Sequence, residues 1–137
     1  MKLSDHSKSR LRESFIQWEV PGEYAQHVCS YLINGWHPGS FYTAVFANDF
    51  TSAMCRSHPS NALDGLQNLS KWIVAWMPKE AWGSYDAVEN WIKMSDDDRR
   101  TVLEQARLIY TTKSEVMAIL KSVPTTRSED IFTMYGV

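Results

Sequence analysis

The sequence predicts an all-α protein, a compact single-domain bundle of about six or seven short to medium helices. Three observations lead there. Apolar residues recur at spacings of three and four along most of the chain. Cap residues, glycines and prolines punctuate those stretches at short intervals. No segment alternates apolar and polar with the period of two that marks a strand. The 137 residues are enough for one domain with a buried core, so residues 1–137 are read as one unit. The 44% apolar and 22% charged content fits a globular chain.

Each element has its own justification. Residues 1–9 are polar and read as a flexible start. "SRLRESFIQW" places Leu11, Phe15 and Trp18 on one helical face, and Pro21 breaks it. Residues 23–34 carry a stripe of Tyr24, Val28, Tyr31 and Leu32, with Gly35 as the stop. "HPGS" turns the chain, and Ser40 is the expected N-cap of one helix over 41–55. A second break, "SHPSN", precedes a long helix over 61–77 with Ala62, Leu66, Leu69, Ile73 and Trp76 at helical spacing. On that helix Trp76 is expected in the core and Trp72 at its edge. Pro78 ends it. "EAWGS" is a tight loop, and Ser84 caps a helix over 85–93 bearing Val88, Trp91 and Ile92. Ser95 and Asp98 have capping-box spacing, ahead of a stripe of Val102, Leu103, Ala106, Ile109 and Tyr110. Thr112 and Glu115 repeat the box before a last helix with Val116, Ile119, Leu120 and Val123. Pro124 stops it, and 124–137 form a tail.

Composition excludes several functions. A net charge of −2 argues against a strongly basic nucleic-acid binder and against an acidic DNA mimic. Two cysteines, Cys29 and Cys55, suggest reduced thiols in the cytoplasm and not a disulfide framework. The N-terminus lacks the apolar core of a signal peptide, and no apolar run approaches the roughly 20 residues of a membrane span. Six tryptophans, at 18, 36, 72, 76, 82 and 91, are the unusual number. A small helical core uses large side chains freely, yet six make one or two partner-facing rings a reasonable expectation.

Reactive chemistry is thin. His27, Cys29, Cys55 and His58 are acceptable zinc ligands, but positions 27 and 29 lie about 200° apart on a helix and cannot face one ion. No metal and no cofactor are expected. No nucleophile elbow, phosphate-binding glycine loop or H-E-x-x-H is present. Asp96, Asp97 and Asp98 read as a solvated first turn. The sequence gives no means of bringing His37, Asp49 and Glu80 together. Lys8, Arg10 and Arg12 could meet phosphates, but the helix over 41–55 is too apolar to read a DNA groove.

Asn48 and Asp49 sit among apolar residues of that helix. Buried polar groups are normally hydrogen-bonded. The pair is therefore expected to tie the helix to the "EAWGS" loop, with a ligand or partner site as the alternative.

These residues also carry a resemblance. Gly35-x-x-Pro38-Gly39-x-Phe41-x-x-Ala44-Val45-x-x-Asn48-Asp49, with Trp82-Gly83-Ser84 and Trp91 later, resembles small bacteriophage and prophage proteins. Their pattern reads G-x-P-P-G-x-F-L-x-A-V-L-x-N-D-L, then C-W-G-S and a final Trp. The likeness spans residues 25–92; helices over 95–123 are additional. This chain has His37 where the pattern has its first Pro, Tyr42 and Phe46 for Leu, and Ala81 for Cys. The resemblance implies phage origin and no mechanism. By association, it suggests a non-catalytic accessory protein that counters host antiviral defence. Such a protein would bind a host defence protein complex, as an anti-CRISPR-like inhibitor does, or sequester a nucleotide-like signal. Trp36, His37, Tyr42, Asn48, Asp49, Trp72 and Trp82 are the expected contact residues, and a homo-oligomer is compatible with them. The other readings are a small DNA-binding regulator using the basic N-terminal segment and a phage enzyme with Asp49 as its perturbed carboxylate.

Overall fold

A computed structural model describes residues 1–56 and 63–111. They form α1 (Asp5–Gln17), α2 (Gly22–Asn34), α3 (Ser40–Phe46), α4 (Phe50–Arg56), α5 (Leu63–Trp76), a 3-10 turn (Lys79–Ala81), α6 (Tyr85–Lys93) and α7 (Asp96–Gln105). The fold is all-α, with no strand among the described residues. No helix in them is long and apolar enough to cross a membrane. The expected start of the long helix at Asn61 and Ala62, the helix over 112–123 and the tail over 124–137 lie outside the described residues.

α2 is the centre of the core. Its stripe of Tyr24, Val28, Tyr31 and Leu32 is buried, as the three-and-four spacing predicts. The helix stops at Gly35, which is left-handed at φ 65° and returns its N–H to the Tyr31 carbonyl at 3.0 Å. Glycine is required there twice over. The left-handed backbone costs other residues about 1–2 kcal/mol. A Cβ at that point would also meet Arg99 Nη1 at 2.6 Å. Arg99 is a buried charge from α7 that donates to the Met94 carbonyl and pairs with Asp96.

Other ends follow local rules. Ser84 Oγ accepts from Ala87 N–H and Ser95 Oγ from Asp98 N–H, each at 3.1 Å, so both predicted caps are present. α3 differs from expectation. Its N-cap is Gly39 at φ 90°, not Ser40, which lies inside the first turn. The chain enters the helix through a backbone angle that only glycine adopts without strain. The His37 ring fixes that entry, because its Nδ1 accepts the Gly39 N–H at 3.1 Å.

The N-terminus is also better packed than its polarity suggests. Ser4 caps α1 through Ser7 N–H, and Leu3 and Ser7 are buried. The terminal ammonium donates to Asn34 Oδ1 at 2.9 Å and lies 3.5 Å from Asp96.

The tryptophan order on α5 is reversed. Trp72 is fully buried and Trp76 only partly so. Helical spacing admits both, and α1 decides between them. Phe15 stacks on Trp72 at 4.4 Å, and Ser14 Oγ accepts the Trp72 indole N–H at 3.0 Å. Trp72 is thus a core residue, not an exposed stacking face.

Tyr31 joins four segments. Its hydroxyl donates to the Ala81 carbonyl at 2.7 Å, and its ring stacks on Phe46 at 4.8 Å. Its carbonyl accepts the Trp91 indole N–H at 3.1 Å. Tyr31→Phe keeps the ring and leaves the buried Ala81 carbonyl without its donor. We expect a stability loss of about 1–3 kcal/mol by urea denaturation, with an unchanged helical circular dichroism spectrum.

Candidate functional site

The motif expected inside one helix instead divides two. Asn48 is left-handed at φ 63°. Its N–H bonds to the Val45 carbonyl at 3.1 Å, and Asp49 N–H bonds to the Ala44 carbonyl at 2.9 Å. This pair of bonds is a Schellman stop, with Asn48 in the position that tolerates only Gly or Asn easily. Asp49 then starts α4: its Oδ1 accepts Ser52 N–H at 3.2 Å and its carbonyl accepts Ala53 N–H at 2.9 Å. Asn-Asp is therefore a stop followed by a start. Helical periodicity does not see it, because apolar residues recur at helical spacing across the break, although of α4 only Ala53 is buried.

The expected tie to "EAWGS" exists, but other groups make it. Asn48 is exposed and does not reach the loop. Gly83 N–H donates to the Phe46 carbonyl at 2.7 Å, Tyr31 holds Ala81, and Tyr85, just past the loop, donates to Asp49 Oδ2 at 2.6 Å. That last bond draws the Asp49 pKa below the usual carboxylate range, with the Ser52 bonds adding to it. The same bond to Asp49 raises the Tyr85 phenol. Both shifts favour an ionised acceptor and a neutral donor.

The remaining expected contact residues scatter. Trp36 is 64% exposed, on the loop after α2. His37 is exposed and engaged with Gly39. Tyr42 is buried, lies 4.5 Å from the His27 ring in a stack, and has its phenol pushed up to about 12 by burial. Trp82 is half-buried beside the Gly83 tie, and Trp72 is in the core. Of the seven, only Asp49 is tied by its side chain to the segment after the loop, through Tyr85; Asn48 is its chain neighbour, and Trp82 precedes Gly83, whose N–H reaches the Phe46 carbonyl.

Two neighbours of Asp49 were not singled out by sequence. Phe50 is 71% exposed and Tyr85 is 50% exposed, and both adjoin Asp49. Phe50 opens α4 just after the break at Asn48 and faces outward. Beside it lies a crevice of about 90 Å³, lined by Val45, Asn48, Asp49, Phe50, Ala53, Leu66 and Ser70.

The metal-ligand residues separate as helix geometry requires. His27 lies exposed against Tyr42, with Nδ1 2.9 Å from the Glu23 carbonyl, while Cys29 is half-buried on another face. Burial pushes the Cys29 thiol up to about 11. His58 lies outside the described residues. Among the described residues no three His, Cys, Asp or Glu side chains converge.

Comparison of the chain with protein-family models, with curated proteins and with solved structures returns no match.

Two predictions follow from the junction. Asn48→Gly should hold stability or raise it, whereas Asn48→Ala should lower it by about 1 kcal/mol, because only the backbone angle is at stake. Equal losses in both, by urea denaturation, would show that the amide side chain matters after all. Tyr85→Phe should return the Asp49 pKa upward toward its ordinary value in a carboxylate NMR titration. The sign is that of a depressed acid: the bond stabilises the fold above the unfolded carboxylate pKa and is lost as pH falls through the folded one. Tyr85→Phe should therefore narrow the difference in stability between neutral and acidic pH.

Proposed function

We propose that this chain is a non-catalytic accessory protein of bacteriophage type that counters host antiviral defence by occupying a host protein complex in the bacterial cytoplasm. The phage resemblance of residues 25–92 supplies the context. The observation that carries the binding reading is the pair of outward rings next to Asp49: Phe50, which follows it in the chain, and Tyr85, which is hydrogen-bonded to it. Aromatic residues of this kind dominate interface energetics when already held in place. The hydrogen bond to Asp49 restricts the Tyr85 ring before any partner arrives.

Two features favour protein contact over chemistry or an enclosed signal molecule at this place. Asp49 is tuned to remain ionised, the opposite of the raised carboxylate that serves acid–base catalysis near neutrality. The neighbouring crevice of about 90 Å³ is well below the roughly 300 Å³ at which small-molecule sites begin. The raised Cys29 thiol is likewise a poor nucleophile at neutral pH.

The test is biological and has a structural control. Expression in bacteria that carry a CRISPR or other defence system should raise plaquing by a phage that the system restricts. Phe50→Ala and Tyr85→Ala should each reduce that effect at least about tenfold, as loss of an interface anchor does, while the helical spectrum and the melting transition persist. No change in plaquing with the parent chain across the defence systems tested would refute the proposal. Full activity in both variants would move the interface elsewhere.

A further inference from the structure

We propose that the trough between α1 and α2 is a docking groove for an amphipathic partner helix with an acidic flank. It requires nothing of the Phe50–Tyr85 surface, with which it shares no residue. The groove has a volume of about 570 Å³. Leu11, Phe15 and Val20 form one side of its floor, and Ala25, Cys29 and Ile33 the other. Ile16 stands at its edge with 65% of its surface exposed. Leu11, Phe15 and Val20 belong to the core and are at most 9% exposed, so the accessible apolar surface of the trough is that of Ile16 with the half-buried Ala25, Cys29 and Ile33.

Its shape selects a helix. The α1 residues lining it from Lys8 to Ile16 span about 12 Å at 1.5 Å per residue, which matches two turns of a partner. A helix of that length presents anchors at i, i+3 or i+4, and i+7, the recurring mode of helix-in-groove recognition.

Its charge selects the flank. Among the described residues, the charged ones lining the trough are Lys8 and Arg12. They are one helical turn apart on α1, so they match two acids four residues apart on the incoming helix. Glu13, the nearest acid along α1, lines a separate pocket with Arg10, Trp76 and Arg107. Rim pairs of this kind contribute little affinity, but they set orientation and encounter rate. The apolar anchors supply the affinity.

A second copy fits less well. Docked face to face, it would bring two Lys8–Arg12 rims together, a like-charge contact.

The test is fluorescence anisotropy on the full chain with two labelled helical peptides of about 16 residues, long enough for the two turns with flanks. Both carry leucines at i, i+3, i+4 and i+7. One has glutamates four apart beside that stripe, and the other has lysines there. The glutamate peptide should bind at least about tenfold more tightly at low salt, with the advantage shrinking as salt screens the rim. Ile16→Asp should weaken it at least about tenfold without altering the melting transition, since Ile16 is already exposed. Equal binding of the two peptides, or unchanged binding to Ile16→Asp, would overturn the proposal. So would self-association of the chain that Ile16→Asp abolishes, or adsorption to phosphatidylglycerol vesicles, if neither peptide binds.

Discussion

The bond from the Tyr31 hydroxyl to the Ala81 carbonyl holds the centre of this protein together. It lies in the dry interior, where burial pushes the phenol pKa upward and keeps it a donor. Around it the other contacts close a ring. Phe46 stacks on the Tyr31 ring, the Phe46 carbonyl accepts Gly83 N–H, and Trp91 donates back to the Tyr31 carbonyl. Helices α3 and α6 and the 80–84 loop are thereby fixed to one residue of α2. An unpaired buried carbonyl costs as much as a lost hydrogen bond, so each link also removes a penalty. The Asp49–Tyr85 pair lies at the outer edge of this ring and inherits its position from it.

A second constraint is the way the helices end. Four left-handed residues turn the chain at helix ends: Glu19, Gly35, Asn48 and Arg107. Only one is glycine. Glu19 and Arg107 accept that conformation in Schellman turns, closed by bonds from Val20 to Phe15 and from Leu108 to Leu103. Their carbonyls are also taken up by distant side chains. Asn68 donates to Glu19 at 3.2 Å, and Arg10 donates to Arg107 at 2.6 Å. Tertiary hydrogen bonds thus offset backbone strain of about 1 kcal/mol at each site.

The same economy shapes the outer surface. The polar pair that carries the phage-like motif is consumed in ending one helix and starting the next. What it leaves outward is aromatic: Phe50, and Tyr85 steadied by Asp49. The trough between α1 and α2 borders the core, since Leu11 and Phe15 of α1 belong to both. The two surfaces have different chemistry, one of fixed aromatic rings and one of an apolar channel with a basic rim. In the proposed role as a phage-type inhibitor, each suits contact with protein better than turnover of a substrate.

By itself the sequence determined the helical class and most of its punctuation. Stripes such as Tyr24, Val28, Tyr31 and Leu32 are local periodicities, and Gly35, Ser84 and Ser95 are local cap chemistry, so both are legible along one chain. Choices between locally equivalent options were not. Trp72 and Trp76 satisfy the same spacing, and Phe15 with Ser14 on α1 selected Trp72 for the core. Asn48 can sit within a helix or end one, and the outcome follows from closing α3 against the 80–84 loop. Arg99 follows the acidic run Asp96, Asp97 and Asp98, carries no sequence signal for burial, and is buried near Gly35 and Met94. The site shows the same division: the motif was visible, but which rings it turns outward was not. Burial depends on which neighbour arrives from elsewhere in the chain, and only the tertiary structure brings Tyr85 to Asp49 or leaves Ile16 uncovered.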